Sequence, residues 1–338
     1  MQRQPGGTRM QQVLWAASGS EAIIKSIWAA LLRADGKQII LATRHGFHGK
    51  KGLAGATTGS EKDPERDARV KFIGFPMQEC FSWQRRQRET DLTPYRKELE
   101  TLAQTHNGQI ACLVTEPYLG GGGSYHPPTA YLQMLQRFCR EHDILLILDE
   151  IQSCFGRTGN MFAYSTYGIE PDIVCLGKGL GNGMPVDAAV GRADVFTKLD
   201  FGLGSDTWSG HPLGCAAVLA TLDEFEEKDV LENVHNLADT LRQGLTKLTR
   251  LAAVKAVRGE GAVWGVHCAE IGHRSAAEVA NEIVWRSYLG NDKGRAIHLL
   301  GPLADCVIRV SPPLVMPPAE VADYLDVLEE IVRKVSAN

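Results

Sequence analysis

Two stretches decide the fold: Ile144-Leu145-Leu146-Ile147-Leu148-Asp149-Glu150 and Pro171-Asp172-Ile173-Val174-Cys175-Leu176-Gly177-Lys178-Gly179. Each is a short, unbroken apolar run that ends in ionisable residues. A run without polar alternation predicts a strand covered on both faces, as in a parallel sheet. Similar runs occur at residues 38–42 and 110–115, with a weaker one at 188–190. Helical periodicity lies between them, at 20–33, 93–105 and 129–142, the last placing Tyr131, Leu132, Leu135 and Phe138 on one face. Strands alternating with helices predict an α/β fold, a mainly parallel, doubly wound sheet flanked by helices.

The pattern changes near Gly214. Helical stretches at 216–227 and 230–248 lead to strand-like segments at 254–258 and 262–268. A helix at 276–287, strands near 295–299 and 306–310, and a final helix from Ala319 complete the chain. The expectation is a large domain, residues 1–215, and a smaller C-terminal α+β domain, residues 216–338. Residues 58–69, rich in glycine, charge and proline, predict a surface loop.

Composition narrows the function. The 338 residues, 44% of them hydrophobic, suffice for a sizeable core. With 36 basic against 40 acidic residues the formal charge is −4, which argues against a nucleic-acid binder relying on phosphate neutralisation. The one tight basic run, Arg85, Arg86 and Arg88, reads as a solvated helix face. No apolar run reaches the roughly 18 residues of a membrane span, and no secretory signal is visible at the start. Eight scattered cysteines without a C-x-x-C pair predict free thiols in a reducing, cytoplasmic setting and no metal site.

Four pieces carry chemistry, placed where α/β sheets put ligands, beyond the carboxyl ends of strands. Asp149 ends a buried strand, so it either caps the next turn or pairs with a cationic ring nitrogen. Lys178 stands between two glycines at the end of another strand. It reads as a nucleophilic amine facing the crevice, with a phosphate-binding or ordinary loop lysine as the alternatives. Ser18-Gly19-Ser20-Glu21-Ala22 opens a helix whose free N–H groups favour an anion, or it is a plain N-cap. Phe47-His48-Gly49 follows a strand and offers an aromatic cover for a flat ring. A phosphate cradle, a lid, an acid for a ring nitrogen and a lysine for an aldehyde are what pyridoxal 5'-phosphate needs.

With those residues in place, the chain resembles the class III pyridoxal-phosphate-dependent aminotransferases of fold type I, the group containing ornithine and 4-aminobutyrate aminotransferases. The resemblance runs through Ser18-Gly19-Ser20, Phe47-His48-Gly49, Thr115-Glu116-Pro117, Leu148-Asp149-Glu150-Ile151-Gln152 and Gly156-Arg157-Thr158-Gly159. It continues through Lys178, Thr207, Gly210-His211-Pro212, Val257-Arg258-Gly259 and Arg309-Val310-Ser311-Pro312-Pro313. It implies catalytic roles for Lys178, which would form the internal aldimine, and for Asp149, which would keep the pyridine nitrogen protonated. Gly19, Ser20 and the other subunit's Thr207 would hold the phosphate. Phe47 would stack on the ring, Ile151 would pack beneath it, Gln152 would reach its hydroxyl, and Glu116 would orient the network. Arg309 would anchor a substrate carboxylate. The implied activity is ping-pong transfer of an amino group from an amine or amino acid to a 2-oxo acid, in a homodimer.

Three features depart from the family pattern. Gly121 stands where ω-amine enzymes commonly place a gating glutamate for Arg309, and Lys50 stands where 4-aminobutyrate enzymes place an arginine. Only 17 residues precede Ser18, so the expectation is a chain lacking the family's N-terminal segment. The alternatives are a decarboxylase or aminomutase of the same family, or an inactive truncated relative.

Overall fold

The computed structural model describes residues 1–62 and 66–337. Its main sheet has seven strands: β1 (Gln12–Ala16), β2 (Ile39–Thr43), β3 (Val70–Ile73), β4 (Ile110–Thr115), β5 (Leu145–Asp149), β6 (Ile173–Leu176) and β7 (Asp187–Gly191). In space they lie in the order β1-β7-β6-β5-β4-β2-β3. Strands β3, β2, β4, β5 and β6 are mutually parallel, while β7 runs antiparallel to both β6 and β1. All residues of β4, β5 and β6 are buried, as their unbroken apolar runs require.

Two apolar layers cover this sheet. On one face, helix α1 (Gly19–Arg33) packs Ala22, Ile23, Ile27 and Ala30 against Ile147, Ile173, Cys175 and Ala189. On the other, helix Thr129–Glu141 supplies Tyr131, Leu132, Leu135 and Phe138 to a core with Leu113, Leu146 and Val174. Asp149 and Cys175 stand side by side at the register of β5 and β6, so the parallel strands deliver Asp149 and, shortly after, Lys178 to the same sheet edge.

A second, antiparallel sheet consists of β8 (Val254–Glu260), β9 (Val263–Cys268) and β10 (Val307–Val310), in the order β10-β9-β8. Helices Val230–Lys247, Ala276–Leu289 and Pro318–Ala337 pack Leu237, Leu241, Ile283, Leu328 and Val332 with Trp264 and Val266 around it.

Most expected elements are found with ends shifted by a residue or two. Three readings change. Strands β1 and β3 were absent from the expectation because both are sheet edges and carry polar or exposed positions. The expected strand at 295–299 forms no ladder; Ile297 instead donates its N–H to Ser287 O at 2.7 Å. Arg86 is not part of a solvated face, since its side chain is 11% exposed and pairs with Glu260 at 2.9 Å. The expected loop at 58–69 includes residues 63–65, which lie outside the described residues.

Arg86 and Glu260 belong to a knot between the two sheets. Tyr167 also donates to Glu260, at 2.9 Å, and His126 stands 3.8 Å away. Burial works to raise the Glu260 pKa, but the contact with His126 and the charge of Arg86 outweigh it and bring it from 4.5 down to about 2. The carboxylate therefore stabilises the fold fully above the unfolded value, and that contribution fades as pH falls through the folded one. Breaking such a pair leaves a buried guanidinium without its partner. Glu260→Gln is expected to cost about 3 kcal/mol at neutral pH in urea unfolding and to flatten the acid limb of stability below about pH 4.5. Equal midpoints for both proteins at pH 7 would contradict this.

Candidate active site

Helix α1 begins where β1 ends. Ser18 accepts the Glu21 N–H at 3.4 Å, and Glu21 reaches back to the Ala17 N–H at 2.8 Å, so the two cap the helix reciprocally. The N–H groups of Gly19 and Ser20 have no partner among the described residues and stand at the positive end of a 15-residue helix. Bare backbone is enforced around them. A side chain on Gly19 would start 2.6 Å from Ile151 Cδ1, and one on Gly49, at φ +139°, would start 2.4 Å from Ser20 Oγ.

The turn after β2 carries Phe47 and His48. The Phe47 N–H donates to Glu116 Oε1 and the Gly120 N–H to Glu116 Oε2, both at 2.9 Å, so one buried carboxylate ties two loops. Burial pushes the Glu116 pKa up to about 7. Phe47 keeps its ring 48% exposed at the mouth of the cleft, beside Gly121.

The sequence offers His48 as part of the Phe47-His48-Gly49 turn, with no role of its own. His48 is fully inside, and its Nδ1 pairs with Asp149 Oδ2 at 2.8 Å. The other Asp149 oxygen accepts the Ile151 N–H at 3.1 Å. The neighbouring acid does a different job: Glu150 accepts the N–H groups of Ala163 and Tyr164, both at 2.7 Å, and pins the following loop. Nothing in the local sequence separates these two acids. Their opposite directions at the strand end do.

Lys178 follows β6 in a short 3₁₀ turn with φ +42°, a conformation that costs a non-glycine residue roughly 1–3 kcal/mol and concentrates at functional sites. Its side chain opens into two adjoining clefts. One, about 650 Å³, is lined by Gly19, Ser20, Phe47, Asp149, Ile151 and Lys178 among others. The second, about 540 Å³, is lined by Lys178 and Gln152 together with Tyr118, Arg157 and Arg309. Eight of the nine expected cofactor and catalytic residues thus meet in one cleft, and Arg309 faces its neighbour. Thr207 does not line either. It lies exposed on a loop anchored by the buried Lys25, whose Nζ meets Asp206 at 2.6 Å. Lys50 is exposed and outside both clefts. Asp187 was not expected; it lines the first cleft from β7.

The donor set fits pyridoxal 5'-phosphate. Gln152 Oε1 is buried inside the cleft with no partner among the described residues, as an acceptor awaiting a hydroxyl would be, and Gly19 and Gly49 leave a cradle that a Cβ would fill. A carboxylate, a lysine and a helix N-terminus surround the space between.

Comparison with known proteins agrees with this geometry. The model of the aminotransferase class III family matches residues 2–332, and the chain belongs to that family. Its relatives include the acetylornithine aminotransferase of Bacillus subtilis, 32% identical over 325 residues, covering 96% of this chain and 76% of the relative. The ornithine aminotransferase 1 of Staphylococcus saprophyticus is 30% identical over 333 residues, with 96% and 76% covered. Among solved structures, an (S)-enantioselective omega-transaminase from Thermomicrobium roseum superposes with a TM-score of 0.83 at 26% identity, covering 97% of this chain and 75% of that one. An amine transaminase from an uncultivated Pseudomonas species in its pyridoxal-phosphate-bound form gives 0.79 at 27%, covering 97% and 77%. The fold is therefore fold type I, the cofactor pyridoxal 5'-phosphate, and the reaction transfer of an amino group.

The cradle makes a sharp prediction. Gly49→Ala is expected to weaken pyridoxal 5'-phosphate binding about 10–100-fold in fluorescence titration, with the far-ultraviolet circular dichroism unchanged. Unaltered affinity would show that the Gly49–Ser20 contact does not shape the phosphate site.

Proposed function

We propose that the residues gathered around Lys178 carry transamination in a cytoplasmic homodimer, with Lys178 and Asp149 as catalytic residues. The observation behind this reading is the convergence of Lys178, the Asp149–His48 pair, the orphaned Gln152 oxygen and the α1 N-terminus on one cleft. When bound, the cofactor supplies an electron sink for the bond broken at the substrate's amine-bearing carbon.

The protein's own groups divide the remaining work. Asp149, held by His48 and the Ile151 N–H, holds a proton on the ring nitrogen. His48 donates from Nδ1 to Asp149 and fixes the direction of its carboxylate. Gly19 and Ser20 bind the phosphate through backbone N–H groups, joined by Thr207 from the second subunit. Phe47 and Ile151 hold the ring between apolar surfaces, and Gln152 accepts from its hydroxyl. The Lys178 amine moves the proton at the reacting carbon. Arg309 binds the carboxylate of an amino acid or 2-oxo acid bidentately.

Several further points belong to the same proposal. Residues 1–215 form the large cofactor-binding domain and residues 216–338 the small C-terminal one, the division falling inside helix Pro212–Glu227. A second copy covers the loop carrying Thr207, where Phe201, Trp208 and Leu213 are exposed. Eight free cysteines and the absence of any helix long and apolar enough to cross a membrane, among the described residues, support the cytoplasmic setting.

The decisive experiment is a visible absorbance spectrum of the protein with pyridoxal 5'-phosphate, before and after adding amine donors, beside Lys178→Ala. A Lys178-dependent band that one donor bleaches supports the reading, and no such band with any donor overturns it. Arg309→Ala should raise KM for amino acid donors about 10–100-fold and leave donors without a carboxylate unchanged. An equal rise for both classes would remove Arg309 from carboxylate recognition.

A further inference from the structure

The first cleft holds one charged group that its cofactor chemistry does not use. Asp187 begins β7, opposite Ala16 of β1 and therefore next to the turn that opens α1. Its side chain lies over Gly177 so closely that a Cβ there would stand 1.9 Å from Asp187 Oδ1. A side chain at Gly177 would therefore displace the Asp187 carboxylate. Asp187 is 8% exposed, and among the described residues no donor or cation lies within hydrogen-bond or ion-pair distance of its carboxylate. It lines the same cleft as Gly19, Ser20 and Lys178.

The charges facing it are unfavourable. Lys178, from the turn after β6, is the cation that favours its ionisation among the described residues. Asp149 from β5 and Glu21 from α1 oppose its ionisation. His48 and Glu116 line the cleft further across. Burial, the largest influence, and these two acids raise the Asp187 pKa to about 6 against the pull of Lys178. A phosphate ester seated on Gly19 and Ser20 brings up to two more negative charges into this cleft. An ionised carboxylate there repels it, whereas a protonated one adds a donor.

Resting on the pyridoxal-phosphate reading above, we propose that Asp187 takes up a proton from solvent when the cofactor's phosphate binds, so that cofactor affinity in this chain is linked to pH. Asp187 is a positioning residue for the phosphate rather than a catalytic one. The linkage has a definite sign: affinity falls as pH rises above the pKa of the free protein's carboxyl, at most about tenfold per pH unit for a single linked proton.

The test uses pyridoxine 5'-phosphate, which lacks the aldehyde and so leaves the Lys178 amine unreacted, with pyridoxine as the control without phosphate. Calorimetric titrations run from pH 5 to 8.5 in two buffers of different ionisation enthalpy, on the wild-type chain and on Asp187→Asn. The expected result is similar affinity for both proteins at pH 5 and about tenfold tighter binding by Asp187→Asn at pH 8. Wild type should take up more protons per phosphate ester at pH 7.5 than the variant, and pyridoxine should show no such difference. Asp187→Ser should behave as Asp187→Asn does, and it carries the test should the first variant fail to fold. Parallel pH profiles and equal proton uptake would overturn the inference while leaving the cofactor reading intact. A pH-dependent gap of equal size for pyridoxine would overturn it too, because the carboxyl would then sense the ring. Failure of the wild type to bind pyridoxal 5'-phosphate by absorbance would instead overturn the cofactor reading, and this inference with it.

Discussion

The hydrogen bond between His48 and Asp149 is the contact on which the site depends. A carboxylate at the end of a fully buried strand is costly unless something compensates its charge. Here the compensation comes from a ring on a different strand's exit turn, 2.8 Å away and equally buried. The pair locks the exit of β2 to the exit of β5. Phe47 stands one residue from His48 and Ile151 two from Asp149, so the same bond sets the separation of the two apolar walls of the cleft. Glu116 repeats the device one strand over, by holding the Phe47 and Gly120 N–H groups.

Close backbone packing does what side chains cannot. Gly19, Gly49 and Gly120 lie so near Ile151, Ser20 and Gln152 that any Cβ would collide, at 2.6, 2.4 and 2.0 Å. These contacts bring the loops after the strands close together around the cleft. Between the two sheets the ties are electrostatic. Arg157 donates to the carbonyls of Ala262 and Pro312, at 3.1 and 2.8 Å, and Glu260 gathers Arg86 and Tyr167. Arg309 on β10 is therefore held at a fixed place relative to Lys178 after β6, which is what orienting a carboxylate beside a reacting amine requires.

The parts of the fold legible in the sequence are those where burial is two-sided. Strand β4 has the ends its apolar run predicts, because nothing but unbroken apolar sequence satisfies a strand covered on both faces. Edge strands β1 and β3 escaped because one side of each is exempt from that demand. Residues 295–299 show the reverse error: a short segment carrying Ala296, Ile297 and Leu299 met no partner strand, and Ile297 paired with the end of a helix instead. Arg86 was misread because its partner, Glu260, lies far away in the chain.

For the site, sequence alone determined the reactive inventory: a lysine between glycines after one strand, an acid ending another, a Ser-Gly-Ser helix start and an aromatic after a third. These are local signals, since each candidate is marked by the element that carries it. Only the tertiary structure decided that His48 pairs with Asp149, that Glu150 beside it holds a loop, and that Asp187 lines the same cleft with no partner among the described residues. Those assignments depend on strand order and register, which set distances between residues remote in the chain. No local pattern encodes such a distance, because it comes into being only when the sheet closes.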